Sequence, residues 1–430
     1  MAPFTIKFRI AILALVFLLL PLAFPVTTHA MPVFARQYDM SCASCHAAFP
    51  RLNQFGKQFS ANNMRLPNWR DKTLETGDDR LAIPSVVPFA IRAQAYMQAR
   101  EGESIDPVTG ETERAASDFQ SPYLIKLLSS APLSEHITYY FYGIFAEKGE
   151  NGETLIEDAW FRHDDLFDSG VGMQLGQFQI SDLMFAREVR LPFQDYIVYR
   201  MAGITYDRGV LFDRGFGSLD VGLGLVNGNG IKENFDINSP GFGRPDNMFD
   251  NDNNKSVFGR IGMEVAAASV GLFGLAGKQA NATGAAGLDS GDRDTDKRVL
   301  GLDISGDVQG RTYWYMQLLW NEWDGFLDKN QNYKWWGGFL GIDYIANDFW
   351  AFSGLYNYAN ANDLDNTDTI YEGIDINSLS LTASYYFMRN VKGVAEVNFD
   401  FIEENPKQGS YYTGHLTKEN YILLGFDAAF

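Results

Sequence analysis

Cysteine is nearly absent: the 430-residue sequence holds only Cys42 and Cys45. With no other thiol and no second Cys/His cluster, a four-ligand structural zinc site is excluded. Positive charge is also short, 35 Lys and Arg against 54 Asp and Glu for a net charge of −19, and no basic patch reads as a nucleic-acid surface. No phosphate-cradling glycine loop and no nucleophile triad stand out. Beyond about residue 86 there is no long apolar run, so nothing there can span a bilayer as a helix.

What is present begins with the two cysteines. Ser41-Cys42-Ala43-Ser44-Cys45-His46 is a CxxCH stretch, the pattern of a c-type haem attachment site. Each thiol adds to one vinyl group on the same porphyrin edge, which requires the two sulfurs a turn of chain apart. His46 follows directly and supplies the proximal iron ligand. One covalent haem c is therefore the expected cofactor, held by Cys42, Cys45 and His46.

Ahead of this motif, Lys7 and Arg9 precede an apolar run from Ile10 to about Phe24, and Thr28-His29-Ala30 follows. That is a secretory signal peptide over residues 1–30, with cleavage before Met31. Export agrees with the haem, since c-type attachment is made outside the cytoplasm. Residues 31–72 read as a monohaem cytochrome segment and 73–87 as a linker. Phe49, Leu52, Phe55 and Phe59 recur at helical spacing, with Pro50 suited to the first turn and Asn62 or Asn63 to the end. Phe49 and Phe55 are expected to wall the haem pocket, and Gly56 to let the backbone approach the macrocycle. Arg36, Arg51, Lys57, Arg65, Arg70 and Lys72 against Asp39 and Asp71 make this a basic piece of an acidic molecule, which suggests electrostatic docking. So short a segment cannot enclose a haem alone and must borrow walls from the rest of the chain.

From residue 88 to 430 the pattern is alternation. Aromatic, valine and glycine-rich segments fall near 88–100, 120–131, 136–147, 154–166, 170–180, 196–212, 217–227 and 256–266. Eight more fall near 268–279, 297–308, 311–323, 333–345, 348–359, 377–388, 391–402 and 419–430. Weak alternation with many aromatics is the mark of an all-β, sixteen-stranded antiparallel transmembrane β-barrel of the bacterial outer membrane. Long connections alternate with tight ones, among them Ala131-Pro132-Leu133, Asp213-Arg214-Gly215 and Gln309-Gly310. That parity is expected when short turns face the periplasm and long loops face outside. Ile422, Leu424, Phe426, Ala428 and Phe430 share one face of the last strand, and a terminal aromatic resembles the recognition signal of outer-membrane proteins.

A sixteen-strand barrel keeps a water-filled lumen unless it is plugged, and the helical haem segment is the expected plug. The third long loop, Ser181–Asp195, carries Phe185, Arg187, Glu188, Arg190 and Phe193 and is placed to fold inward, to line a constriction or touch the haem, or to lie on the surface. The other long loops are acidic, with Glu101, Glu103, Asp106, Glu111 and Glu113 in the first and Asp363, Asp365, Asp368, Glu372 and Asp375 in the seventh. They either concentrate cations at the mouth or form a solvated face bridged by divalent ions.

The run from Met31 through Pro32, Gln37 and CxxCH to His46, followed by a sixteen-strand barrel ending in Phe, resembles the fused outer-membrane monohaem cytochrome–porins of iron-oxidising bacteria. The resemblance implies a haem that takes electrons from extracellular ferrous iron or another donor and passes them to a periplasmic electron carrier, in a barrel embedded in outer-membrane lipid. Electron export to extracellular acceptors and a diffusion porin with a regulatory haem segment are the alternatives. For the sixth ligand, Met64 lies just past the aromatic helix, and thioether ligation raises the potential. His136, His163 or an open iron are the other choices. Denaturing gels stained for haem are expected to show a band that Cys42→Ala with Cys45→Ala removes; an unstained wild-type band, after expression with maturation machinery, refutes attachment.

Overall fold

A computed structural model gives the architecture. It describes residues 33–40, 42–46 and 52–66. From 73 onward it describes all but 75, 79, 82, 85–87, 102–103, 106–111, 115, 147–154, 187–190, 229, 231–252, 282–294, 366, 368–374, 389 and 403–419. The expected signal peptide and Phe49 lie outside the described residues.

Alternation with β-branched and aromatic residues favours strands, and sixteen of the described strands form one closed barrel, with two short hairpins outside it at Thr73–Leu74 with Ile83–Pro84 and Ser104–Ile105 with Thr112–Arg114. The barrel strands are β1 (Phe89–Arg100), β2 (Ser117–Pro132), β3 (Ile137–Ala146), β4 (Leu155–His163) and β5 (Gly172–Gln179). Next come β6 (Tyr206–Phe216), β7 (Leu219–Val226), β8 (Ser256–Val265), β9 (Ala268–Gln279) and β10 (Thr295–Val308). The ring is completed by β11 (Thr312–Asp324), β12 (Asn332–Ile345), β13 (Trp350–Asn360), β14 (Ile376–Met388), β15 (Val391–Asp400) and β16 (Tyr421–Ala429). Each pairs antiparallel with its sequence neighbours, and β16 pairs with β1 to close the barrel, from Tyr421 opposite Arg100 to Ala429 opposite Arg92. Across this seam Arg92 donates to both Asp427 oxygens, at 3.0 and 2.7 Å, with the Lys392 ammonium 3.6 Å from the same carboxylate. Phe430 and Ile91 exchange two further backbone hydrogen bonds, at 2.9 and 2.7 Å.

Period-two alternation sorts the side chains between the two surfaces. On β11, Tyr315, Gln317, Leu319 and Asn321 face inward and are buried. Leu223, Ile261, Leu272, Leu300, Leu340, Ile342, Leu381 and Phe426 face outward and are exposed. A closed ring with an apolar outer belt leaves no backbone group unpaired in hydrocarbon, which is why such a sheet can cross a membrane.

Three expectations move. Asp213, Arg214 and Gly215 belong to β6, and the turn falls at Gly217, which takes φ +68°. Within β6, Asp213 is held in the strand by a bidentate pair with Arg162. Ala131 and Pro132 complete β2, so that turn runs from Leu133 to His136. The segment read as one strand over 196–212 starts instead with a helical turn, α4 by chain order (Ile197–Met201), and only then enters β6.

The described part of the N-terminal segment is helical. It consists of α1 (Val33–Tyr38), α2 (Cys42–Cys45) and α3 (Gln54–Ala61). Phe59 of α3 packs edge-on against Phe34 and Tyr38 of α1, at ring distances of 5.4 and 5.3 Å. Helix α3 starts at Gln54, later than the aromatic spacing suggests, because Asn53 caps it by accepting from the Gly56 N–H. Leu52 falls before the cap, where it bridges His46.

Leu300 lies near the middle of β10 on the outer belt, 58 % exposed. Leu300→Arg is expected to lower barrel stability by about 2–4 kcal/mol, measured by denaturant titration in lipid vesicles. An equally large loss for a Leu300→Met control would refute its lipid-facing assignment.

Candidate functional site

The Cys42–His46 turn is built on backbone contacts. Helix α2 carries both cysteines within one turn. Asn53 reaches back to it twice, its backbone N–H donating to the Cys45 carbonyl at 2.8 Å and its side-chain amide to the Ser44 carbonyl at 3.0 Å. Gly56 is the close-approach residue, although its neighbour is the turn itself. A Cβ there would lie 2.2 Å from the Cys45 carbonyl oxygen and 3.0 Å from the Leu52 side chain. Gly56 thus admits the CxxCH backbone. The Cys45 thiol is half-buried, and burial raises its pKa, so it stays protonated at neutral pH. Phe55, one residue before Gly56, keeps its ring 39 % exposed.

The segment meets the barrel where the short turns lie. Arg36 donates to the Phe89 carbonyl at the start of β1. Lys57 donates to the Tyr313 hydroxyl on β11 at 2.7 Å, its ammonium 4.0 Å from the ring centre. Arg65 donates to the carbonyls of Ser134 and Ile137, and Asn63 to those of His136 and Arg162. The bases Arg36, Lys57 and Arg65 thus spend their hydrogen bonds largely on uncharged oxygens of the barrel. Arg51, Arg70 and Lys72 lie outside the described residues.

Met64 is fixed at both ends. Its carbonyl accepts from the Tyr38 hydroxyl at 2.8 Å, and its sulfur accepts from the Ser130 hydroxyl of β2 at 3.4 Å. The two barrel histidines sit together on the rim, as the strand reading placed them, and the His136 carbonyl accepts from Asn63. His136 and His163 stack with ring centres 5.5 Å apart, and His136 Nδ1 lies 2.8 Å from Asp164 Oδ1. That bond lifts the His136 pKa above its ordinary value, opposed by a smaller burial effect. The ion pair is therefore fully present below the ordinary histidine pKa and is lost as pH rises through the raised one.

The second feature is the third long loop, which folds into the lumen. Its ends are zipped together, Ile180 and Ser181 donating to the carbonyls of Thr205 and Ile204, each at 3.0 Å. Tyr196 stacks on Phe339 of β12 at 4.3 Å, Phe185 packs on Tyr315 and Phe339, and the Tyr199 hydroxyl donates to Gln317 at 2.9 Å. The middle of the loop crosses to the seam side of the barrel. There Glu396 of β15 accepts from the Phe193 and Gln194 backbone N–H groups, from Thr382 and from the Tyr421 hydroxyl, at 2.9 to 3.2 Å. Phe193 packs among Tyr96, Tyr123 and Tyr421. Of the expected loop residues, Phe185 and Phe193 line this crossing, whereas Arg187, Glu188 and Arg190 lie outside the described residues. Sequence reasoning passed over Glu396 and Asn53. The first shows as a lone acid on the inward face between Val394 and Asn398, the second as a cap residue three before a glycine.

No protein-family model and no curated protein sequence matches the chain. Solved structures do. OmpT of Vibrio cholerae lacking loop L8 superposes with a TM-score of 0.51 at 12 % identity, over 80 % of this chain and 98 % of that one. An anion-selective porin from Comamonas acidovorans gives 0.51 and 12 %, over 80 % and 98 %. The outer-membrane channel DcaP of Acinetobacter baumannii gives 0.53 and 11 %, over 80 % and 96 %. The fold is that of an outer-membrane porin. With its apolar outer belt, the chain is an integral outer-membrane β-barrel.

Gly56→Ala is expected to push α3 off the Cys42–His46 turn, a strain of about 1–3 kcal/mol. Limited proteolysis should cut the N-terminal segment faster while the barrel stays resistant. Unchanged cleavage would refute the close approach.

Proposed function

We propose that this chain carries electrons across the outer membrane through one covalent haem on Cys42 and Cys45, with His46 as proximal ligand. In this reading residues 31–72 form a cytochrome segment that plugs the periplasmic mouth, 73–87 a linker, and 88–430 the barrel. The observation that carries it is the CxxCH turn on a segment hydrogen-bonded to the short-turn rim of the barrel, through Arg36, Lys57, Asn63 and Arg65.

The residues present suit the group. Helix α2 spans the two cysteines of the motif, at the spacing that attachment to one porphyrin edge requires. The Cys45 thiol is only half-buried, and Phe55 offers an exposed aromatic wall one turn of α3 away from Phe59. When bound, the haem supplies one-electron exchange. His46 would hold the iron from one side. Met64, whose sulfur now faces the Ser130 hydroxyl, would supply the second protein ligand in this reading, with His136 or His163 as the alternative. Tyr38 holds the Met64 backbone, and Arg65 and Asn63 hold the segment on the barrel. Loop three touches both lumen walls, which in this reading narrows the water path between outside and segment. The electron donor is extracellular ferrous iron, as the family resemblance suggests, and the acceptor a periplasmic carrier.

The porin fold favours a second reading, a diffusion channel whose N-terminal segment regulates or anchors. Ferrous iron added to intact cells is expected to bring up the reduced c-type absorption bands, and the purified barrel to conduct poorly in planar bilayers. Haem that dithionite reduces and ferrous iron does not, at any pH, together with open-channel conductance, would establish the second reading.

A further inference from the structure

We infer that Asn53 is the positioning residue of the haem-attachment turn, the group that sets how His46 is presented to iron. The inference rests on the haem reading above and deepens it.

The peptide planes leading into His46 decide its direction. Two hydrogen bonds converge on them from one residue. The Asn53 amide donates to the Ser44 carbonyl at 3.0 Å, which fixes the plane between Ser44 and Cys45. The Asn53 backbone N–H donates to the Cys45 carbonyl at 2.8 Å, which fixes the plane between Cys45 and His46. The bridge from His46 to Leu52 extends the same short ladder by one residue. Meanwhile Asn53 Oδ1 accepts from the Gly56 N–H at 2.9 Å and starts α3. Gly56 closes the arrangement, because no other side chain fits within 2.2 Å of the Cys45 oxygen. The backbone of the attachment turn is thus clamped between a cap residue and a helix, and the clamp reaches the ligand through its own main chain.

Asparagine is the side chain this requires, since it donates and accepts from one planar group. Aspartate keeps the acceptor that caps α3 and loses the donor that holds Ser44. It also sets a negative oxygen against a carbonyl. A residue that merely starts a helix tolerates this change, because aspartate caps as well as asparagine. A residue that orients His46 does not. Outer-shell groups of this kind tune a metal centre without touching it.

The test uses the full-length, haem-loaded protein in detergent, comparing wild type with Asn53→Asp and Asn53→Ala. For Asn53→Asp the expected result is an intact segment by proteolysis, a shifted midpoint potential, and an altered low-spin electron paramagnetic resonance spectrum. For Asn53→Ala it is these changes together with a several-fold lower fraction of chains carrying covalent haem. If Asn53→Asp matches wild type in potential and spectrum, Asn53 is only a cap and the inference is overturned. If wild type itself carries no covalent haem, the haem reading fails first, and the two failures are told apart by the haem stain.

Discussion

Closure of the sheet is the constraint on which everything else depends. In hydrocarbon an unpaired strand edge costs several kcal/mol per exposed backbone group, so β16 must find β1. The seam is closed by backbone pairing from Tyr421 to Ala429 and locked by Arg92 against Asp427. Once the ring is shut, an even strand number brings the start of β1 and the end of β16 to the same rim. The N-terminal helices meet the barrel there, and the residues that hold them are rim carbonyls and the first residues of β1 and β11.

Closure also creates the problem that loop three answers. A sixteen-strand ring is too wide for its own wall side chains to fill. The inward faces of β11 and β12 are nevertheless buried, because Tyr196, Tyr199 and Phe185 lie on them. The crossing ends at a fully buried carboxylate whose two oxygens take four donors. A buried charge with every lone pair engaged holds its geometry, whereas one left partly unpaired is costly. Loop and wall therefore behave as one body at Glu396.

Strand existence was legible because a period of two and aromatic content survive in nearly every segment, and the parity of long and short connections repeats the message independently. What was not legible depended on partners far away in the chain. Tyr196-Ile197-Val198-Tyr199 has the composition of a strand, yet it coils because Phe339 and Gln317 offer burial inside the lumen, and packing overrides local preference. Asp213-Arg214-Gly215 has the composition of a turn, yet Arg162 holds it straight. At the candidate site the motif itself was plain. The neighbour of Gly56 was not, since a glycine shows only that something comes close, and here the visitor is the chain's own backbone at Cys45.

The seam has a consequence in time. Strand one is paired with strand sixteen, so no ring exists until the residues near 421–429 have been made and delivered. Synthesis proceeds from the other end, and the Cys42–His46 turn leaves the ribosome more than three hundred residues ahead of β16. That makes order of assembly, and not only geometry, a property written into the pairing of β16 with β1.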